Sequence, residues 1–97
     1  MDRESYVYIL AKKKDGTLYV GSTQEIIKRI FEHKNGFVPS FTRRYGIKLL
    51  VYYEIHQDIY AARLRERQLK KWNRAWKVRL IHSLNPEWLD LYDSLLG

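Results

Sequence analysis

Residues 6–21 read Tyr-Val-Tyr-Ile-Leu-Ala-Lys-Lys-Lys-Asp-Gly-Thr-Leu-Tyr-Val-Gly, and this segment predicts how the fold begins. Both of its ends are rich in β-branched and aromatic residues, which favour strands. The pair Asp15-Gly16 lies between them, and both residue types tolerate the positive φ angles of a tight turn. The segment is therefore predicted to form a β-hairpin. Because side chains alternate along a strand, Tyr6 and Tyr8 are expected to share one face.

Hydrophobic periodicity extends the prediction beyond the hairpin. It indicates one further strand over 48–56, and helices over about 24–34, 59–72, 75–84 and 86 onward. The strand is a continuous apolar run, which is typical of burial on both faces. The order β-β-α-β-α-α-α predicts an α/β (α+β) fold, in which helices cover a small three-stranded, mainly antiparallel sheet.

Short motifs predict where two of these helices begin. Ser22 and Glu25 have the spacing of a capping box, which places the start of the first helix near Gln24. Pro86 suits the first position of the last helix, because that position leaves its backbone N–H unpaired in any case. Residues 37–46 lie between two glycines and are predicted to be irregular or a short turn.

Composition and charge narrow the class of protein. The chain has 97 residues, of which 45% are hydrophobic, and 18 Lys and Arg against 11 Asp and Glu give a formal charge of +7. This length predicts one domain over 1–97, and the lack of cysteine excludes disulfides and a cysteine nucleophile. No apolar run approaches the roughly 18 residues of a membrane span, so we expect a cytoplasmic monomer that does not enter a membrane. The positive charge favours nucleic acid as the partner.

Three side chains stand out on the predicted helices. Arg29 and His33 are four residues apart, so they lie together on one flank of the first helix, toward its seam with the sheet. An exposed pair at the rim of the core is the alternative interpretation. Glu66 falls within the apolar stripe of the second helix, where a carboxylate is costly unless it is paired or binds a cation. A structural ion pair with an arginine and a ligand for a hard cation such as Mg²⁺ are both open.

Taken in order, these residues resemble the GIY-YIG nuclease superfamily, and most closely its small stand-alone bacterial members of the UPF0213 type. Tyr6-Val7-Tyr8 stands where the family has Gly-Ile-Tyr, and Tyr19-Val20-Gly21 where it has Tyr-Ile-Gly. Arg29 and His33 match the Arg-x-x-x-His spacing of the family's helix, and Glu66 matches its metal-binding glutamate. The first glycine of the signature is replaced. The likeness covers nearly the whole chain.

The resemblance implies an endonuclease that hydrolyses phosphodiester bonds in DNA, selects structure rather than sequence, and acts in DNA repair or recombination. Glu66 would bind one Mg²⁺ or Mn²⁺ ion. Tyr8 or Tyr19 would orient or deprotonate the attacking water. Arg29 would stabilise charge on the phosphate, and His33 would carry a proton or contact the phosphate.

The resemblance also guides which residues contact the substrate. Gly21 would let the backbone pass close to the site. Asn73 is a further candidate, because larger relatives use an asparagine downstream of the glutamate and Asn73 shares the face of Glu66. Contacts to the phosphate backbone are predicted at Arg43, Arg44, Lys70, Lys71, Arg74 and Lys77.

Two other functions fit the same residues. The first is a nucleic-acid-binding module with weak or no catalytic activity, because a solitary domain lacks the extra DNA-binding domains that larger relatives use. The second is a protein-interaction domain. Its partner would be held by aromatics of the C-terminal helices, which also suit the core: Trp72, Trp76, Trp88 and Tyr92.

Overall fold

Three strands form one antiparallel sheet at the centre of the molecule. A computed structural model of the chain describes residues 3–38 and 41–97. β1 (Ser5–Ala11) is the middle strand and pairs antiparallel with β2 (Leu18–Thr23) on one side and β3 (Leu49–His56) on the other. β2 and β3 are therefore the two edges of the sheet.

The predicted hairpin is confirmed. Its turn contains Asp15 at φ 60°, a left-handed conformation that aspartate tolerates, and the N–H of Gly16 donates to the carbonyl of Lys13 at 2.9 Å. The register places Tyr8 directly opposite Gly21. The hairpin thus places Tyr8 and Gly21, the last residues of the two signature segments, next to each other in the sheet.

Helices cover both faces of this sheet, as the predicted α+β class requires. The described residues form α1 (Ile26–Lys34), α2 (Phe41–Tyr45), α3 (Ile59–Lys71), α4 (Arg74–Leu84) and α5 (Tyr92–Leu95). The short α2 lies where residues 37–46 were predicted to be irregular or a short turn, and residues 39 and 40 of that segment lie outside the described residues.

Alternation along β1 divides the core into two layers. Val7 and Ile9 point to the face covered by α3 and α4, where they meet Leu69. Tyr8 and Leu10 point to the face covered by α1 and α5. Buried side chains from both faces make β1 the most completely enclosed strand.

β3 follows the prediction of burial on both faces only in its first half. Leu50, Val51 and Tyr52 are buried, whereas Ile55 is 55% exposed. The prediction is wrong for Ile55, which is left exposed, whereas Glu54 beside it is still covered by Arg65 of α3. No helix in the described ranges is long and apolar enough to cross a membrane.

The predicted starts of two helices are wrong. β2 continues through Thr23, so Ser22 lies within a strand and does not cap α1, which begins at Ile26. Instead, the hydroxyl of Thr23 accepts the N–H of Glu25 at 3.0 Å. Pairing with β1 therefore prevails over the capping-box spacing.

The chain after α4 turns where a helix starting at Pro86 was predicted. The side-chain amide of Asn85 donates to the carbonyls of Val51 and Leu89, at 3.0 and 2.7 Å. Trp88 adopts φ 58°, which interrupts any helix there. These contacts anchor the turn to β3, and the last helix forms only at α5.

Candidate functional site

Tyr8 and His33 form the buried centre of the candidate site. Tyr8 extends from β1 across β2, and a Cβ atom added at Gly21 would lie 2.5 Å from its Cζ and Oη atoms. Its hydroxyl lies 3.1 Å from Nε2 of His33 on α1, and each side chain is 1% exposed. The ring of Tyr19 packs beside both, with centroids 6.5 Å from Tyr8 and 5.6 Å from His33. A glycine is needed at position 21 because a side chain there would occupy the place of the tyrosine ring.

The surroundings of His33 keep its ring neutral. Its Nδ1 atom lies 2.9 Å from Oγ1 of Thr42 on α2. Burial and the nearby charge of Arg29 lower the pKa of His33 to about 4, and the carboxylate of Glu32 offsets this only in part. At neutral pH one ring nitrogen therefore donates and the other accepts. Such a ring orients its neighbours well but accepts a proton poorly at that pH.

Arg29 is the exposed partner of this buried pair. Its positive charge acts on the Tyr8 hydroxyl, and its Nε atom lies 3.4 Å from the carboxylate of Glu32, with the side chain 44% exposed. The interpretation of Arg29 and His33 as an exposed pair is thus right for the arginine and wrong for the histidine. Burial, with Tyr19, raises the pKa of Tyr8 above its usual value, and the charge of Arg29 counteracts this only in part. Tyr8 is therefore a neutral phenol.

Glu66 approaches β2 from the face of the sheet opposite to Tyr8 and His33. Ser22 follows Gly21 on β2, so its hydroxyl points toward α3 and donates to Oε1 of Glu66. One helical turn later, Nζ of Lys70 lies 2.5 Å from Oε2. The negative charge of Glu66 adds to the rise in the pKa of Tyr8. The predicted ion pair is present, but with a lysine and beside the tyrosine site.

A polar hollow lies beside the site. It has a volume of about 250 Å³ and is lined by Ser22, Thr23, Gln24, Glu25, Arg29, Ile59 and Arg63. Ser22 contacts Glu66 and the charge of Arg29 acts on Tyr8, so the hollow is lined by one neighbour of the carboxylate and one of the tyrosine. Two guanidinium groups on its wall make it suitable for a phosphate.

The oxygen donors fit a largely hydrated divalent cation. Within residues 3–38 and 41–97, no three His, Asp or Glu side chains are grouped to hold a metal. Mg²⁺ does not need such a cage, because it keeps several waters and takes one or two carboxylates with substrate phosphates. The carboxylate of Glu66, 20% exposed, can supply one such ligand, although the ammonium of Lys70 occupies it in this structure and a cation would have to displace it.

The family model described as the GIY-YIG catalytic domain matches residues 4–79, which contain all of these side chains. The chain belongs to the GIY-YIG family. Membership implies a nuclease-type function with nucleic acid as the substrate. The resemblance of Tyr6-Val7-Tyr8 and Tyr19-Val20-Gly21 to the family signature is thereby confirmed.

Curated relatives and a solved structure agree with this assignment. A UPF0213 protein of Clostridium perfringens is 44% identical over 79 residues, which cover 81% of this chain and 84% of that protein. A UPF0213 protein of Staphylococcus saprophyticus is 40% identical over 81 residues, covering 84% and 96%. The solution NMR structure of a UPF0213 protein from Bacillus halodurans is 30% identical, with a TM-score of 0.56 over 90% of this chain and 92% of that one. The predicted fold class and subgroup are confirmed.

The basic residues predicted to contact phosphate lie in two parts of this GIY-YIG domain. Arg43 and Arg44 are exposed on α2, next to the Thr42 that contacts the buried histidine. The others lie at the end of α3 and on α4: Lys70, Lys71, Arg74 and Lys77. Within this second group the guanidinium of Arg74 donates to the carbonyl of Asp15 at 2.8 Å, which ties α4 to the hairpin turn.

Asn73 has a structural role in this arrangement. It is the N-cap of α4, and its Oδ1 atom accepts the backbone N–H of Trp76 at 2.9 Å. An N-cap hydrogen bond of this kind stabilises a helix by about 1 kcal/mol. Asn73 was a candidate for the site because of the resemblance. In the structure its amide oxygen caps α4 instead.

Two residues of the site were missed from the sequence. Ser22 was interpreted as a helix cap, yet it binds Glu66; extending the alternation of β2 by two residues would have placed it on the face of α3. Thr42 holds the ring of His33, and the five residues of α2 are too few to show a periodicity.

Proposed function

We propose that this protein is an endonuclease that hydrolyses phosphodiester bonds in DNA, with one Mg²⁺ or Mn²⁺ ion held by Glu66. The observation that supports this most directly is the meeting of three groups around β2. They are the buried Tyr8–His33 pair, the exposed guanidinium of Arg29 and the carboxylate of Glu66. The charge of +7 favours contacts to the phosphate backbone, which do not read sequence, so structure-selective cleavage in repair or recombination is the role we infer.

The positions of the side chains suggest their roles. Arg29 and Arg63 line the polar hollow and would bind the non-bridging oxygens of the scissile phosphate. Tyr19 is partly exposed, so its hydroxyl is the phenol that can contact an attacking water. Tyr8 is buried and protonated between His33 and Arg29, and it would position the guanidinium.

Hydrolysis requires a water oxygen to bond to phosphorus and release a proton, while the P–O ester bond breaks and the leaving oxygen takes up a proton. A divalent cation on Glu66 would neutralise negative charge developing on the phosphate, and it would cancel the carboxylate's contribution to the raised pKa of Tyr8. The phosphate would be oriented by the arginines, and the water by Tyr19. Effective orientation of reacting groups supplies a large part of such catalysis.

The test is cleavage of nicked, branched and single-stranded DNA by the purified protein with Mg²⁺ or Mn²⁺. We expect Glu66→Gln to lower the cleavage rate by at least about 100-fold, since loss of the cation removes several kcal/mol of transition-state stabilisation. DNA affinity measured without metal should be unchanged. Glu87→Gln, which changes an exposed carboxylate outside the site, is the matched control. Cleavage that is insensitive to Glu66→Gln contradicts the proposal.

A nucleic-acid-binding module without turnover is the second candidate function. It is favoured by the ion pair of Lys70 with Glu66, in which an ammonium already neutralises the carboxylate. Under this alternative the protein binds DNA but cleaves none of the substrates at any concentration of Mg²⁺ or Mn²⁺. The same cleavage assay therefore separates the two candidates.

A further inference from the structure

An apolar groove lies beside α3 and α4, apart from the Tyr8–His33 centre. Its volume is about 380 Å³ and its walls are Trp72, Trp76, Arg79, Leu80 and Ser83. The rings of Trp72 and Trp76 lie nearly perpendicular, with centroids 5.8 Å apart and an interplanar angle of 87°. Trp76 is 49% exposed, although an indole is costly to leave in water.

One wall of this groove is held in place. The guanidinium of Arg65 stacks over the ring of Trp72, 5.0 Å from its centroid, and the Nε atom of Arg65 donates to Glu54 on β3 at 2.8 Å. Trp72 is therefore fixed between a cation and the neighbouring helix. Trp76 packs against this fixed ring and is itself 49% exposed, so part of its ring surface is open to a ligand.

The surroundings of the groove are strongly basic. Over α3 and α4, Glu66 is the single acidic residue. The cations of the two helices are Arg63, Arg65, Arg67, Lys70, Lys71, Arg74, Lys77 and Arg79. The positive potential of these side chains attracts a polyanion, but it does not attract an uncharged or cationic ligand.

The basic surface joins the groove to the carboxylate of Glu66. At 3.6 residues and 5.4 Å per turn, Trp72 lies roughly 9 Å farther along α3 than Glu66 and on its opposite flank. The solvent-facing arc of α3 between these two residues carries four exposed cations: Arg63, Arg67, Lys70 and Lys71. A phosphate backbone that crosses this arc contacts both the proposed cleavage centre and the groove.

We propose that the groove binds an unpaired nucleobase of the substrate, stacked on Trp76, with the adjacent phosphate on Arg79. Any base can stack on an aromatic ring, so this contact does not select sequence. It does select structure, because bases inside a duplex are already paired and stacked. The inference rests on the proposed function for its substrate class, and it names that class as DNA with a single-stranded segment.

The test compares a labelled oligothymidine with a labelled duplex of the same length, by fluorescence anisotropy in EDTA so that no cleavage occurs. We expect Trp76→Ala to weaken binding of oligothymidine by roughly 5- to 150-fold, the range for loss of one stacked base. Duplex affinity should change by less than about twofold. Tyr60→Ala is the control, since Tyr60 is an aromatic residue of α3, 78% exposed and outside the groove. Trp76→Phe should retain most of the affinity.

The proposal is overturned if Trp76→Ala leaves oligothymidine binding within about twofold of the parent protein, as expected if the groove holds a protein segment instead. It is also overturned if single-strand and duplex affinities fall equally. If Trp76→Ala does not fold, a second measurement is the quenching of tryptophan fluorescence by oligothymidine. This quenching must be smaller in Trp76→Phe than in the parent protein, because the stacked indole is absent. Binding in EDTA does not depend on Glu66. If Trp76→Ala weakens oligothymidine binding but no DNA is cleaved, only the nuclease proposal is refuted. If cleavage depends on Glu66 but Trp76→Ala does not change binding, only the proposed base-stacking groove is refuted.

Discussion

Acid should destabilise this protein through His33. The ring is 1% exposed between Tyr8 and Thr42, and burial with the charge of Arg29 lowers its pKa from 6.5 to about 4, while Glu32 opposes the change. Between these pH values the unfolded chain binds a proton that the folded protein does not, so the free energy of unfolding falls as pH falls. At about 1.4 kcal/mol per tenfold change, the full effect is about 3 kcal/mol, present above pH 6.5 and lost as pH falls through 4.

Urea unfolding of the parent protein and of His33→Gln, at about pH 7.5 and about pH 4.5, measures this contribution. Glutamine keeps a donor and an acceptor but cannot be charged, and every other titratable group is the same in both proteins, so the difference between their losses reports His33 alone. The parent should lose about 2.5 kcal/mol more than the variant over this interval. If both proteins lose the same free energy, His33 is not held neutral by its surroundings and the reasoning is refuted.

Other variants test the packing and the charge balance of the site. Gly21→Ala should cost about 1 to 3 kcal/mol in urea unfolding, because the new methyl group would lie 2.5 Å from the ring of Tyr8. Asn85→Ala should lower the free energy of unfolding by about 2 to 3 kcal/mol, because the carbonyls of Val51 and Leu89 lose the buried amide that donates to them. An unchanged melting temperature would contradict this. Lys70→Ala should strengthen Mn²⁺ binding by roughly 2- to 5-fold in electron paramagnetic resonance titrations, since it removes the ammonium that competes for Glu66.

Matched variants separate these effects from general damage. The cost of Gly21→Ala should shrink in a Tyr8→Leu background, where the ring is absent, and an equal cost in both backgrounds contradicts the proposed collision. Lys71→Ala removes an equivalent exposed charge from the end of α3, so it should leave Mn²⁺ affinity unchanged. Equal gains from Lys70→Ala and Lys71→Ala would indicate a diffuse effect of charge rather than the observed ion pair.

The fold could be predicted from the sequence where periodicity encodes it. Alternation sends Tyr8 to one face of β1 and Val7 to the other, and the turn at Asp15-Gly16 sets the register that places Tyr8 opposite Gly21. These are local properties of a strand and a turn. The order of elements and the class of fold follow from them, because each apolar face needs a partner.

The chemistry of the site could not be predicted in the same way, because it depends on tertiary burial. Nothing local distinguishes His33, which is sealed, from Arg29, which lies in solvent; the difference is set by α2, which brings Thr42 against the imidazole. Ser22 shows a competition between two local signals, since its sequence suits a helix cap while strand pairing places it in β2. The partner of Glu66 likewise depends on how α3 lies on the sheet.

The site joins two faces of the sheet, and this is possible because β2 is an edge strand. Consecutive residues of a strand point to opposite faces, so Gly21 admits Tyr8 on the side of α1 while Ser22 contacts Glu66 on the side of α3. In a middle strand the two halves would be separated by the neighbouring strands. At an edge the outer side stays open, so under the proposed function a phosphate lying along β2 would be reached by Arg29 from one face and by a cation on the carboxylate from the other. Gly21 and Ser22, which are adjacent on β2, thus contact the two halves of the site from opposite faces.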